Sequence, residues 1–411
     1  MPLSPTTRVL SALCAGTAAG LSLALPAGAA ATTYVPTNGS AYGSYAAVGP
    51  VQSGTTSPVS LCTTRVPDQR SNSTGAVNLA GIGTIGAVTT QTGTSALAGT
   101  RSTVSTTSTA GVNLLGGLVQ ASAITTRATV SRTATGTTST KGETVVTGLR
   151  VGGAAVSATP KPGTTLTIAD VATVQLNTQV AADGSTFTVT GLRVNLLSGN
   201  KLKLATGTVI VGRSVASTGA PVHHLPYGNA YATQVDVAGK VTSGRTAAVG
   251  LPCGGSYGKT LTNRVAAVSV PKVLSTGAGT STAASTDSAT STSATTSNTL
   301  ASVRLLDGLV TLKGVTTKAN AVRTASGVTT SSAGTTVTGL QVRGKNVTVG
   351  TGENAHVSIA DVGTLTVRGT TRTSTGITVH AVELKLDTAV AGLTKGTVLT
   401  VGSSAAGVAD R

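Results

Sequence analysis

The feature that most constrains the fold of this 411-residue chain is an internal repeat with a spacing of about 191 residues. Matching segments of a repeat build the same local structure, so each copy can be interpreted with the help of the other. VNLLGGLV at 112–119 recurs as VRLLDGLV at 303–310, and TVVTGLRV at 144–151 recurs as TTVTGLQV at 335–342. The sequence therefore predicts two tandem homologous modules.

The matched segments set the predicted module boundaries. Module 1 runs from 31 to 215 and module 2 from 227 to 411. The residues between them, 216–226, include the stretch STGAPVHHLP with its two prolines. Proline and glycine interrupt regular structure, so this stretch is predicted to be a linker.

The N-terminal residues 1–30 have the pattern of a secretory signal peptide, which we expect to be helical. A positive charge at Arg8 precedes an apolar run at 9–25, and the small residues AGA at 27–29 form a cleavage site. The apolar run is interrupted by polar residues, which disfavours a membrane anchor. We expect an extracellular protein, either free or associated with the cell surface, with no membrane span after cleavage.

Composition predicts an all-β chain. Charged residues make up only 10% and aromatic residues 2%, while threonine, serine, alanine, glycine and valine dominate. This mixture favours strands and turns over helices. Each module is therefore predicted to be an antiparallel β-sandwich-like fold.

The segment FTVTGLRVNLL at 187–197 alternates as a strand does, but the side that is apolar changes near Gly191. The second copy changes in the same way near Ala381. A β-bulge at each position, with one inserted residue, would return the apolar side to the core. Two segments rich in serine and threonine, 90–110 and 276–299, fit either flexible loops or long strands.

Asp170 and Asp361 are the only acidic residues that match between the modules, each within the sequence IADV. Aspartate stabilises turns by accepting hydrogen bonds from its own downstream backbone, so we expect turn residues here and not a functional site. After signal cleavage, Cys62 and Cys253 remain at equivalent positions. They form a disulfide between the modules, are buried separately, or leave Cys62 to pair with another chain; the sequence leaves these alternatives open.

Several motifs resemble those of the actinobacterial choice-of-anchor P family of secreted or surface proteins. They are the AYG-type opening strand at Gly39, an LLGGL strand after a serine- and threonine-rich run, TPKPGTTLTI at 159–168, and a strand FTVTGLRVNLL at 187–197. Both modules carry this pattern, so the resemblance covers most of the mature chain. It implies export and frequent attachment to the cell envelope, but no established biochemical activity.

The chain offers few candidates for catalysis, since it has 12 acidic residues and four histidines. His223 and His224 are predicted to be solvated linker residues and not half of a metal site. We expect no catalytic residues, cofactor or metal, and therefore no enzyme. The leading expectation is a structural or adhesive extracellular protein.

The formal net charge of +17 supports an alternative function, the binding of anionic cell-wall or envelope polymers. Nucleic acid is not expected as a partner, because the chain is exported and has few aromatic residues for base stacking. The sequence does not determine the oligomeric state.

Overall fold

A computed structural model describes most of the chain, and the predicted signal peptide at 1–30 lies outside the described residues. The described ranges are 32–48, 51–52, 55–79, 81–182, 184–237, 241–242, 245–349 and 352–409. Strands account for 66% of the protein and helix for 1%, so the predicted all-β class is confirmed.

The first half of the fold, residues 33–218, contains sixteen strands among its described residues. They are β1 (Thr37–Val48), β2 (Val51–Gln52), β3 (Val59–Thr63), β4 (Asp68–Thr74), β5 (Val77–Leu79), β6 (Gly83–Ile85), β7 (Val88–Leu97), β8 (Thr100–Leu114), β9 (Val119–Thr133), β10 (Thr138–Thr147), β11 (Arg150–Val151), β12 (Ala154–Ala155), β13 (Thr164–Ile168), β14 (Ala172–Ala182), β15 (Thr186–Leu196) and β16 (Gly207–Thr218).

The second half, residues 225–409, follows a connecting segment at 219–224. Its strands are β17 (Leu225–Val237), β18 (Val241–Thr242), β19 (Val249–Gly250), β20 (Leu261–Val265), β21 (Val268–Val270), β22 (Leu274–Thr276), β23 (Gly279–Asp287), β24 (Thr292–Leu300), β25 (Val303–Leu305), β26 (Val310–Leu312), β27 (Gly314–Thr324), β28 (Gly327–Ser331), β29 (Thr336–Thr338), β30 (Gln341–Val342), β31 (Lys345–Asn346), β32 (Ala355–Ile359), β33 (Gly363–Arg372), β34 (Gly376–Leu386) and β35 (Val398–Ala409).

The strands of the first half form two antiparallel sheets that face each other as a sandwich. One sheet has the order β13-β14-β15-β16-β1-β2, with β3 also paired to β1. The other has the order β12-β11-β9-β8-β6-β5, with β10 on β9 and β7 joining β4 to β8. Strand β16 packs across both β8 and β9, which brings the inward side chains of the two sheets together.

The second half repeats this arrangement. Its first sheet has the order β18-β17-β35-β34-β33-β32, in which β17 and β35 pair as β1 and β16 do. The facing layer is divided into two sheets, β20-β23-β24-β27-β28 and β21-β22-β25-β26-β30-β31. In the described part of the chain, each sheet takes all its strands from one half.

In the first sheet of each half, strand pairing is interrupted at the same position along four neighbouring strands. We call this interruption the kink. In the first half, strand pairing skips Gly43, Gly212, Gly191 and Asn177, which lie side by side on four neighbouring strands. Gly212 and Asn177 have the left-handed φ values of 70° and 49°. The second half skips one residue at the same level of each corresponding strand, namely Ala232, Gly402, Ala381 and Arg368.

The β-bulges predicted at Gly191 and Ala381 are replaced in the structure by the kink. Burial does switch sides there, since Val189 is buried before the kink and Leu192 and Val194 after it. However, strand pairs on both sides of the kink keep the same register, so no strand contains an extra residue. Pairing is interrupted at the same level on all four strands, so a bulge confined to one strand is not what restores the apolar side.

The kink divides the interior of each sandwich into two parts. We call the part that contains Thr37 and Thr218 the near end of the first sandwich, and the part beyond the kink its far end. The far end is apolar and is filled by side chains such as Leu114, Leu176 and Leu192. The near end contains a smaller apolar cluster around Phe187 and many fully buried hydroxyl side chains, including Thr92, Thr103, Ser105, Thr107 and Ser214.

Hydroxyl groups bond across the near end and so satisfy one another. Ser214 Oγ of one sheet lies 2.8 Å from Thr126 Oγ1 and 3.2 Å from Thr107 Oγ1 of the facing sheet. In the second half, Thr317 Oγ1 lies 2.8 Å from Ser404 Oγ across the corresponding interface. Buried polar groups need such partners, and these contacts allow threonine and serine to form part of the core.

Two sequence interpretations are resolved by this arrangement. The serine- and threonine-rich segments are strands, because they form β7 and β8 in the first half and β23 and β24 in the second. The LLGGL segment, interpreted as a strand, contains a turn: β8 ends at Leu114, a 3₁₀ turn covers Leu115–Gly117, and β9 begins at Val119. Gly116 adopts a φ of 66°, which explains the glycine at the centre of this turn.

Candidate functional site at the junction of the two halves

A disulfide joins the two halves at the near end of the first sandwich. Cys62 of β3 and Cys253, in the loop after β19, are bonded with a Cα–Cα distance of 5.6 Å. Cys62 is exposed and Cys253 is partly exposed, so the bond lies where solvent reaches it. Of the alternatives left open by the sequence, the structure contains the bond between Cys62 and Cys253, which joins the two halves.

The connecting segment makes backbone hydrogen bonds to the residues that precede β1. Tyr34 N donates to Val222 O at 2.7 Å, and Val222 N donates to Tyr34 O at 2.8 Å. Gly219 N donates to Pro36 O at 2.8 Å. These bonds hold residues 219–222 against the first half.

Tyr257 ties the loop that contains Cys253 to the connecting segment. Ala220 N donates a hydrogen bond to Tyr257 Oη at 3.1 Å. Burial raises the pKa of Tyr257. The same loop is anchored to β23 by Ser256, whose backbone N–H donates to Ser285 Oγ at 2.7 Å. The disulfide and these contacts form one continuous junction.

His223 is not the solvated linker residue that the sequence predicted. Its backbone N and its ring Nδ1 both lie 2.9 Å from Asp287 Oδ2, and its side chain is only 21% exposed. Thr292 donates a further hydrogen bond to Asp287 Oδ1 at 2.5 Å. Burial alone would raise the pKa of Asp287, but the hydrogen bonds from Thr292 and His223 lower it below its ordinary value.

A cleft of about 600 Å³ opens at the junction, and both halves contribute to its lining. Arg132 of β9 and Lys259 of the second half supply positive charge, and Tyr257 supplies a half-exposed aromatic ring. Thr218 also lines the cleft, and its buried Oγ1 has no hydrogen-bond partner among the described residues. Polar groups from both halves therefore converge on one concave surface.

A second pocket, of about 320 Å³, shares Arg132 with the cleft and is also lined by Arg101. The Arg101 guanidinium donates a hydrogen bond to Thr64 O, and Arg132 Nη1 donates to Gly219 O at 3.1 Å. Both arginines were missed by the sequence analysis. The only available signal was their position at the ends of serine- and threonine-rich strands.

Asp170 and Asp361 lie away from the junction. They occupy the turns between β13 and β14 and between β32 and β33, with left-handed φ values of 56° and 61°. Asp170 Oδ2 lies 2.7 Å from Lys201 Nζ, and both side chains are mostly exposed. By strand register these turns are at the far end of each sandwich, so neither aspartate contributes to the junction.

The described residues contain no group of three or more histidine, cysteine, aspartate or glutamate side chains placed to hold a metal ion. No helix in this part of the chain has the length and apolar character needed to cross a membrane. No protein-family model, curated protein sequence or solved structure matches the chain significantly. The resemblance to the choice-of-anchor P family therefore stays a prediction based on motifs.

Proposed function

We propose that this chain is an exported, non-enzymatic protein with a structural or adhesive role outside the cell or in the cell envelope. The disulfide between Cys62 and Cys253 is the observation that carries the proposal. Structural disulfides persist mainly in oxidising compartments, as expected of an exported protein. A covalent bond between two β-rich halves also resists their separation under load.

The sequence pattern supports the same proposal. Residues 1–30 have the features of a secretory signal, and the motifs of both modules resemble those of choice-of-anchor P proteins. Membership of that family would place the chain on or near the cell surface. We include this family assignment and location in the proposal.

Cell fractionation combined with thiol labelling tests the proposed role. We expect the protein in the envelope or culture supernatant of its source organism, without its first thirty residues and with no free thiol before reduction. The control is a cytoplasmic protein with known free cysteines, processed in the same lysate. Recovery of the full-length, reduced chain in the cytoplasmic fraction would show that the proposal is wrong.

The binding of anionic envelope polymers is a second candidate function. It is favoured by the excess of basic residues, 29 lysines and arginines against 12 acidic residues, and by basic side chains at the junction cleft. A positive surface field of this kind attracts polyanions. The attraction weakens with added salt, because the screening length falls to about 3 Å at about 1 M salt.

Sedimentation with isolated cell walls distinguishes the two functions. An electrostatic binder should sediment with the walls at low salt and be released as the salt concentration rises. A structural or adhesive protein held by other contacts should stay bound at high salt. Failure to sediment at any salt concentration would refute binding to wall polyanions, while leaving the fractionation result to decide on export.

A further inference from the structure

Two arginines close the near end of the first sandwich. Arg101 of β8 and Arg132 of β9 are directly opposite each other in the strand register. Their positions continue the inward-facing series of their strands, which includes the buried residues Thr103 and Val130. Opposed residues on antiparallel strands have Cα atoms about 4.5–5.5 Å apart, so the two guanidinium groups share one small region.

This pairing is electrostatically unfavourable in the protein alone. Like charges directly opposite on neighbouring strands destabilise a sheet. None of the ion pairs found between described residues involves either arginine. Burial lowers the pKa of Arg101, as expected of a cation that has lost solvent without gaining an anionic partner.

The two side chains also keep unused hydrogen-bond donors. A guanidinium has five N–H donors, and each arginine donates one observed hydrogen bond to a backbone carbonyl, that of Thr64 or of Gly219. Arg101 Nε is buried and has no hydrogen-bond partner among the described residues. Both side chains therefore keep unused donors beside the pocket that they line.

The pocket has the size and composition of a small anion site. Its volume is about 320 Å³, near the lower end of the usual range for ligand pockets. Its rim includes the end of β9 and the β9–β10 turn at 133–136, Gly99 of the β7–β8 turn, and Pro221 of the connecting segment. Arginine forks match the geometry of phosphate oxygens, and two of them balance the charge of a phosphate dianion.

We propose that the pocket between Arg101 and Arg132 binds a phosphate group, either free inorganic phosphate or the phosphate of a monoester. The group accepts hydrogen bonds from both guanidiniums and removes their mutual repulsion. This inference does not depend on the proposed structural role, because it concerns a defined pocket and not the net charge of the surface.

The second half lacks the arginine pair, so we expect the phosphate site in the first half alone. Thr292 occupies the position that corresponds to Arg101, and it is opposite Arg323 in the strand register. Its hydroxyl donates a hydrogen bond to Asp287. The arginine pair is thus absent from the repeat, where a threonine and a carboxylate occupy the corresponding region.

Calorimetric titration of the disulfide-intact protein tests the proposal, with inorganic phosphate and glycerol 1-phosphate as separate probes. Saturable binding with one site per chain is expected for at least one probe. Tighter binding of glycerol 1-phosphate would identify a monoester as the source of the phosphate, and tighter binding of inorganic phosphate would identify the free ion. Absence of binding of both probes at millimolar concentrations would overturn the proposal.

Two variants of the same strand make the test specific. Arg132→Gln should weaken phosphate binding by about tenfold or more, because it removes a charge-assisted contact. Arg127→Gln is the matched control, since Arg127 is exposed on the opposite face of β9 and should leave binding within about twofold. An equal loss of affinity in both variants would attribute the binding to net charge and overturn the proposal.

Thermal unfolding separates ligand binding from a purely structural role of Arg132. Phosphate should raise the melting temperature of the wild type but not that of Arg132→Gln. A variant that melts lower than the wild type, with the same response to phosphate, would show a structural role only. If Arg132→Gln does not fold, Arg132→Lys replaces it, and binding equal to that of the wild type would refute recognition by a guanidinium pair.

Discussion

Removal of the inter-half disulfide should lower the free energy of unfolding by an amount set by the length of chain that it closes. The perturbation is the double substitution Cys62→Ser and Cys253→Ser, which removes the bond without leaving a free thiol to form a wrong pair. Cys62 is exposed and Cys253 partly exposed, so serine at these positions sacrifices little buried apolar surface. The measured change should therefore report mainly on the crosslink.

The structure gives the magnitude of this change. The bonded cysteines are separated by 191 residues in the sequence. In the chain-entropy model, a loop of this length restrains the unfolded chain enough to stabilise the fold by about 5 kcal/mol. This value is an upper figure, because any residual structure in the unfolded chain reduces the entropy that the bond removes.

Denaturant unfolding followed by far-ultraviolet circular dichroism measures the effect. We expect the double variant to unfold at a lower denaturant concentration than the oxidised wild type. The wild type in reductant is the control and should behave as the double variant does. A difference below about 1 kcal/mol between the oxidised wild type and the double variant would refute restraint of the unfolded chain as the source of stability.

Three further predictions concern the core, the kink and a surface ion pair. Ser214→Ala should destabilise the fold by about 1–3 kcal/mol in chemical denaturation, because it leaves the buried hydroxyl of Thr126 without its partner, whereas Thr107 keeps its bond to Arg213 O. Gly191→Ala should destabilise by about 1–3 kcal/mol, since its Cβ would lie 2.7 Å from a buried methyl group, whereas Gly75→Ala meets open space and should change stability by less than about 0.5 kcal/mol. Hydrogen bonds from Arg372, then from Ser332, lower the pKa of Glu353 from 4.5 to about 2. Because the pKa of Glu353 is lowered by folding, its carboxylate stabilises the fold fully above pH 4.5 and loses this effect towards about pH 2. The difference in stability between wild type and Glu353→Gln should therefore shrink over that interval in acid titrations.

The repeat made much of the architecture predictable. Matching segments separated by about 191 residues indicated corresponding strands, and in the structure β13 and β14 do correspond to β32 and β33. Alternation also located the change of buried side near Gly191. The alternation did not reveal the kink itself, because the sequence of one strand does not show where pairing with its neighbours is interrupted. That information lies in the register between strands.

The candidate site was harder to predict for a related reason. Arg101 and Arg132 are far apart in sequence, and only the β8–β9 register brings them together. Comparison of the two copies also conceals the pair, since Thr292 stands at the position equivalent to Arg101. His223 was assigned to solvent because no carboxylate lies near it in sequence, whereas folding places Asp287 beside it.

The abundance of buried hydroxyl groups at the near end of each interior accounts for the way the halves are joined. An apolar near end would present a hydrophobic surface at the junction, and such surfaces favour association or aggregation. Threonine suits strands, and its hydroxyl can be satisfied within the sandwich or by water. A near end rich in threonine and serine therefore needs only a small apolar cluster between its sheets. The junction must then be held by other means, and its observed bonds are directional: the Cys62–Cys253 disulfide, backbone hydrogen bonds, and the contact between His223 and Asp287. A joint of this kind leaves a polar cleft between the halves, and the arginine-lined pocket lies beside it, built by the first half and the connecting segment.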